Sequence, residues 1–317
     1  MEFQENIPLA PLTTFKIGGP AKYFCKAQTQ KDILEGLKFA KEKSLLVFIL
    51  GGGSNLLISD EGFPGLVIKN EAHNIVLQGQ ALQAESGARL ANLISFAIQN
   101  EMAGLEKLVG IPGTVGGAVS GNAGAYGQGA DDYVSKVLIF DPAQEKILTL
   151  SKEDCQFSYR SSIFKSKPYI ILEATFELPK GNREDLKAAV QKILADRGSK
   201  SFYFYPSPGS FFKNIPLEKV PEESFKLIPK EKITFNKIAA GYLLEMVGAK
   251  GQKVGDVQVL ETHANFIVNL GDGLPAGRQG KASDVIKLAS DLVSKVKEKY
   301  GIKLEPEVQF VNLPPLS

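Results

Sequence analysis

Apolar residues at 33, 34, 37 and 40 recur at the spacing of one helix face, which predicts an amphipathic helix over 30–43. The unbroken apolar run Leu46 to Leu50 that follows reads as a buried strand, and Gly51-Gly-Gly-Ser-Asn55 ends it in a loop. Short strand patterns come next at 66–69, 74–78 and 81–85. Helical spacing returns over 89–100, with Leu90, Leu93, Ile94 and Ala97 on one face and Ser86 as the candidate cap. Beyond a glycine-dense stretch at 110–127, the pattern predicts strands at 136–140, 146–150 and 169–178 and a charged helix at 183–197.

A turn-rich junction, Tyr205-Pro-Ser-Pro-Gly-Ser210, opens the second half. There the pattern predicts a helix at 238–247, a strand at 265–269, and a long helix at 283–299 stopped by Gly301. The tail from Ile302 to Val311 alternates enough for a strand. Helices and strands mix without strict β–α–β alternation, so the expected class is α+β. The segment Gly271–Gly280 contains a GxGxxA string, but Pro275 and the later glycines cannot open the tight helix of a dinucleotide fingerprint. It is expected to be an exposed loop without function.

Composition narrows the classes. A chain of 317 residues with 44% apolar and 23% charged residues suits a globular protein of two domains or three lobes. Lys+Arg 37 against Asp+Glu 35 leaves +2, too little for a nucleic-acid footprint. No apolar run approaches the ~20 residues of a membrane span, and the N-terminus does not look like a secretory signal. The expected location is cytoplasmic. Cys25 and Cys155 form no CxxC pair, and His73 and His263 lack partners at ligand spacing, so no metal site is expected.

Glycine stands out, with 31 residues, ten of them crowded into two places. The first, Leu50-Gly-Gly-Gly-Ser-Asn-Leu-Leu57, directly follows the expected buried strand. The second, 110–127, holds seven glycines in eighteen positions and no charged side chain. Either could be a tight turn and nothing more. Successive backbone N–H groups in such loops also form anion-binding nests, and a side-chain-poor segment can lie flat against a ring. Two such blocks, neither matching GxGxxG nor GxxxxGK[ST], point to a dinucleotide held by another fold.

Seven motifs in order carry a resemblance over nearly the whole chain. They are Thr13-Thr-Phe-Lys-Ile-Gly-Gly19, Leu50–Leu57, Gly110-Ile-Pro-Gly-Thr-Val-Gly-Gly117, Tyr159-Arg-Ser-Ser-Ile-Phe164, Gly209-Ser-Phe-Phe-Lys-Asn214, His263-Ala-Asn-Phe-Ile-Val-Asn269 and Leu304-Glu-Pro-Glu-Val308. Together they resemble the UDP-N-acetylenolpyruvoylglucosamine reductases. The resemblance implies a vanillyl-alcohol-oxidase-type fold, with two α+β lobes clasping FAD and a third α+β lobe for substrate. The corresponding division is 1–68 with 304–317, 69–200, and 201–303. It implies non-covalent FAD, NADPH as co-substrate, and reduction of the enolpyruvyl ether of UDP-N-acetylglucosamine to UDP-N-acetylmuramate. That step serves peptidoglycan synthesis, and with it cell shape and division. A monomer is expected.

Carried over residue by residue, the resemblance implies cofactor contacts from Gly51, Gly52, Gly53, Ser54, Asn55 and Leu56, and from Pro112, Gly113, Thr114, Gly116, Gly117, Asn122 and Gly124. It implies that Arg160 faces the substrate carboxylate, that Ser210 is the proton donor, and that Glu307 is the catalytic glutamate, with Lys213 and Asn214 at the substrate. In a strand, Glu305 and Glu307 share a face, so alternation cannot separate them and only the motif selects Glu307. The residue types suit the chemistry. Hydride delivered to the vinyl carbon leaves charge at C2 that spreads into the carboxylate. A guanidinium can chelate it, a buried protonated glutamate can add a donor, and a held serine can protonate the basic carbon. Lys213, by spacing, would steady the serine alkoxide.

After the arginine motif, Phe176 runs by a short connection into the 183–197 helix, leaving no room for the tyrosine-bearing loop of longer members. The chain resembles the shorter class. Two other readings compete: an oxidase of the same flavin fold, and a flavin- or nucleotide-sugar-binding protein without turnover. Neither histidine lies in a glycine block to tether FAD, and the joint presence of Arg160, Ser210 and Glu307 disfavours a silent binder.

Overall fold

The computed structural model describes residues 1–198, 205–271 and 280–316. The chain forms two compact units: Met1–Glu5 with Tyr23–Gly52 and Pro64–Lys200, and Asn6–Lys22 with Gly53–Phe63 and Ser201–Ser317. Three lobes are a finer division than this. Residues 272–279 of the glycine-rich segment lie outside the described residues. Among the described residues, no helix is long and apolar enough to cross a membrane.

The first unit holds a five-stranded sheet and most of a four-stranded one. In the four-stranded one, the order is Gln4–Pro8, Pro20–Ala27, Phe63–Asn70, Val47–Leu50. Val47–Leu50 runs parallel to Phe63–Asn70, with Leu50 opposite Lys69. Helix α1, Gln30–Glu42, buries Ile33 and Ala40 against Cys25, Leu66 and Ile68. It starts as the sequence dictates: Thr29 accepts from the Asp32 N–H and Asp32 accepts from the Thr29 N–H, a reciprocal cap.

The five-stranded sheet is antiparallel, ordered Lys146–Ser151, Val134–Asp141, Ile170–Glu177, Ala81–Glu85, Ile75–Gln78. Two helices, α2 at Leu90–Gln99 and α3 at Val115–Gly121, share its core through Leu93, Ile94, Ala97, Val115 and Val119. Each such fully buried branched side chain contributes on the order of 1.5–3 kcal/mol. Helix α4, Arg183–Gly198, is mostly solvated and buries Leu186. Ser86 does not cap α2, which begins behind Arg89 without a side-chain cap. Its buried hydroxyl donates to the Ile171 carbonyl and accepts from Asn70 Nδ2, because the turn 87–89 separates it from the first helical turn.

One cross-strand pair in this sheet sets two carboxyl groups face to face. Glu173 lies directly opposite Glu85, and Glu85 accepts from the Asn74 N–H. Burial, then the neighbouring Glu85, raises the Glu173 pKa. A raised folded-state pKa stabilises below the unfolded carboxyl pKa and loses that stability as pH climbs through the folded value. Glu173→Gln should therefore melt higher than the parent near about pH 8 and no higher near about pH 4. Scanning calorimetry at the two pH values checks it. A variant that melts lower at both would mean the carboxylate is already well satisfied.

The second unit gathers Phe15, Ile17, Leu57, Phe211 and Phe212 around two helices, α5 at Ala240–Met246 and α6 at Ala282–Tyr300. Val285, Leu288, Ala289, Leu292, Val293 and Val296 form the buried stripe of α6. Gly301, at φ +63°, ends the helix in the left-handed conformation expected of it. The α6 start is capped from afar, by Asp60 accepting from the Ala282 and Ser283 N–H groups. Gln309–Val311 pairs parallel with Leu56–Ile58. The expected tail strand over 302–311 is thus a strand at 309–311 alone, since Pro306 offers no N–H to a ladder. Likewise 265–269 narrows to Ile267–Asn269.

Candidate functional site

Within the first unit, Gly51 and Gly52 of the first glycine block meet the second block. Gly51 and Gly52 leave the end of Val47–Leu50 and lie against Gly113 and Thr114. A Cβ on Gly52 would stand 2.7 Å from the Gly113 Cα, and Gly113 itself has φ +131°. Backbone meets backbone here, so no larger residue fits. The second block is held open by its own ladder: Leu90 N–H donates to Gly113 O (3.1 Å) and Val115 N–H donates to Ala88 O (2.8 Å). Thr114 is the α3 N-cap, its Oγ1 accepting from Gly117 N–H at 3.4 Å, with Gly116 in the same first turn and Pro112 just before. Asn122 ends α3 at φ +43°. The N–H groups of Val115, Gly116 and Gly117 are taken by Ala88 O, Ser86 O and Thr114 Oγ1, so the fit to an FAD diphosphate rests on the side-chain-poor turns Gly51-Gly52 and Gly113-Thr114, which carry no carboxylate.

The arginine motif is sewn to this block. Asn122 Nδ2 donates to Ser158 O (2.9 Å), Ser162 Oγ to Ser120 O (2.6 Å), and Arg160 Nη2 to Gly124 O (2.7 Å). Ser158 and Ser161 exchange two backbone hydrogen bonds of 3.0 Å, closing a tight loop with Arg160 at φ +54°. A non-glycine residue held there stores on the order of 1–3 kcal/mol, which the surrounding bonds must sustain. The guanidinium also lies 5.4 Å from the centre of the Tyr159 ring. Its aim is set by these contacts rather than left to a flexible stem.

Ser210, Lys213, Asn214 and Glu307 belong to the second unit, as do Gly53, Ser54, Asn55 and Leu56; Arg160 belongs to the first. Segment 210–213 runs between two others. On one side Ser210 bridges Phe266, and Phe211 N–H donates to Asn265 O (2.8 Å). On the other, Glu307 N–H donates to Phe211 O (2.8 Å), Lys213 N–H donates to Glu305 O (2.9 Å), and Phe212 bridges Pro306. Ser210 and Glu307 thus sit on neighbouring extended segments in fixed register. Fully buried Phe211 and Phe212 anchor the middle one.

Of the two tail carboxylates, Glu305 is held by two lysines. Glu305 pairs with Lys219 at 2.7 Å and Lys213 at 3.4 Å, and the Lys219 hydrogen bond above all holds its carboxyl below the usual range. The choice of Glu307 as the catalytic glutamate still comes from the motif. The Lys213 ammonium pairs with Glu305 at 3.4 Å. Asn214 Oδ1 accepts from the Ala240 N–H (3.2 Å), supporting the start of α5.

Two roles escaped the sequence. Asn265, buried, clamps Phe212 from both sides, donating from Nδ2 to its carbonyl and accepting its N–H, each at 2.9 Å. Its only signal was a place inside the His263–Asn269 motif. Asn55 spans the first block and the tail: Nδ2 donates to Glu307 O and its carbonyl accepts the Gln309 N–H, each at 3.0 Å. In this unit it fixes the Glu307 backbone.

Comparison with known proteins adds two family matches. Residues 21–151 match an FAD binding domain, and residues 200–311 match the UDP-N-acetylenolpyruvoylglucosamine reductase C-terminal domain. The UDP-N-acetylenolpyruvoylglucosamine reductase of Solibacter usitatus is 37% identical over 308 residues, covering 97% of this chain and 96% of its own. That of a Synechococcus strain is 38% identical over 312 residues, covering 98% and 91%. The crystal structure of the Thermus caldophilus reductase superposes with a TM-score of 0.74 at 28% identity, over 98% of both chains.

Proposed function

The chain belongs to the UDP-N-acetylenolpyruvoylglucosamine reductase family, and from that membership we propose how its own residues divide the labour. The fold is the α+β, vanillyl-alcohol-oxidase type of that family. The enzyme is an NADPH-dependent FAD oxidoreductase that forms UDP-N-acetylmuramate from the enolpyruvyl ether of UDP-N-acetylglucosamine, a step of peptidoglycan precursor synthesis. When bound, FAD supplies the hydride relay from NADPH to the vinyl carbon.

Arg160 binds the substrate carboxylate with a bidentate guanidinium and steadies the charge that grows there. Glu307 acts as the catalytic glutamate beside Ser210, the role that the family motif gives it. Ser210 delivers the proton to C2 from its hydroxyl. Gly51 and Gly52, with Gly113 and Thr114, hold the cofactor diphosphate along the backbone; Gly116 and Gly117, whose N–H groups go to Ser86 O and Thr114 Oγ1, join Gly53, Ser54, Asn55, Leu56, Pro112, Asn122 and Gly124 in completing its surroundings. Asn214 and Lys213 line the substrate side. A three-lobed arrangement, a cytoplasmic monomer, and consequences for cell shape and division belong to the same reading.

The reading rests above all on the register that ties Ser210 and Glu307 to Phe211 and Phe212, since a donor and an acid must be held to within a fraction of an ångström to act together. The purified protein should be yellow and release FAD on denaturation. NADPH should be consumed continuously only when the enolpyruvyl ether is present. A colourless protein that cannot be reconstituted with FAD would defeat the reading.

A further inference from the structure

One lysine in the first unit does something the glycine motifs do not announce. Lys69 lies at the carboxyl end of Phe63–Asn70, opposite Leu50 in the parallel register. Its half-buried side chain turns back, and Nζ donates to the carbonyl oxygen of Gly51, the first glycine of the block. Among the described residues, no carboxylate stands within ion-pair distance of it. Burial lowers the pKa of this ammonium, and Arg89 and Lys26 lower it further while Glu71 alone opposes them. Arg89 is itself bridged to Thr114, in the second block. Positive charge therefore collects, poorly matched, where both glycine turns meet.

The contact also has a geometric consequence. In a trans peptide the C=O and the next N–H point in opposite directions. A Gly51 carbonyl drawn toward Lys69 turns the Gly52 N–H away from it. Were the same peptide to flip, an oxygen would replace a hydrogen on that side and repel an anion. Two adjacent glycines make such a flip sterically easy, so something other than the chain's own stereochemistry must prevent it.

Building on the FAD reading above, we propose that Lys69 is a cofactor-binding residue, clipping the Gly51 carbonyl so that the first glycine turn keeps its donors toward the FAD diphosphate and adding a positive charge beneath it. This role needs no contact with the reacting atoms; Lys69 is a positioning and charge-supplying residue. An ammonium already half desolvated and crowded by like charges gains more from an arriving dianion than a solvated one.

Flavin fluorescence can follow the binding of FAD to parent and Lys69→Met apoproteins, with unfolding of both apoproteins and both holoproteins recorded in parallel. Methionine keeps the length and apolar stem while removing the donor and the charge. Affinity for FAD should fall about ten- to a hundredfold, as expected for one lost charge-assisted hydrogen bond, with the apoprotein midpoint unchanged. Added salt should weaken the parent more steeply than the variant. Affinity within about twofold of the parent, or an apoprotein midpoint that falls as far as the holoprotein's, overturns the proposal. If the parent itself takes up no FAD, the family reading fails instead, and the two failures cannot be confused.

Discussion

Ser210→Ala should still bind FAD and still be bleached by NADPH at nearly the parent rate, yet recover its colour on adding the enolpyruvyl ether ~10²–10⁴-fold more slowly. The asymmetry follows from where a proton is needed. Bleaching by NADPH calls for no donor, whereas the substrate carbon must be protonated after it has taken up hydride. The backbone at this position is held independently of the hydroxyl, by the Ser210–Phe266 bridge and by Phe211 donating to Asn265. Alanine therefore removes the proton and leaves the register. Ser210→Cys, which restores an acidic hydrogen, should regain part of the loss. Rapid-mixing absorbance reads both steps on one sample. Equal slowing of the two would make Ser210 a shaping residue, and an unchanged recovery would remove it from the mechanism.

Much of this architecture was written in local pattern. The apolar stripe of α6 and its glycine stop are visible along the chain, because a helix face and a left-handed cap are properties of near neighbours. The glycine blocks were also visible, as turns awaiting a reason. What periodicity could not reach were groups whose partners are far away in sequence. Glu305 and Glu307 look alike in a tail read as a strand, and nothing local announces that Glu305 pairs with Lys219, 86 positions away. Asn265 looks like one more polar residue until its amide is found on both backbone groups of Phe212.

The misreadings share a cause. Ser86 has the right chemistry and nearly the right place to cap α2, but a buried hydroxyl goes to the nearest unsatisfied carbonyl, and that belongs to Ile171 in the sheet. The tail alternates like a strand, yet Pro306 offers no N–H to a ladder, and the segment makes an isolated bridge to Phe212 instead. That interruption has a use. It lets Glu307 donate its N–H to the Phe211 carbonyl while the chain moves on to pair with Leu56–Ile58.

Arg160→Asn should cost about 10²–10³-fold in kcat/KM for the enolpyruvyl ether, the loss expected when a preorganised donor to developing charge is removed. Asparagine is the informative replacement because it tolerates the left-handed conformation that Arg160 occupies at φ +54°. The loop closed by Ser158 and Ser161 should then persist, and the effect should report the guanidinium rather than a collapsed turn. Arg160→Lys keeps the charge but not the planar fork, so it should recover only a minor share of the activity. The guanidinium also donates to the Gly124 carbonyl in the second glycine block, so a structural contribution to cofactor binding must be measured beside the kinetic one. FAD content and the rate of NADPH bleaching provide that measure. With both near the parent values and only the substrate step impaired, the carboxylate role stands. If FAD content falls in step with activity, Arg160 serves the glycine segment and the carboxylate must be held by another group.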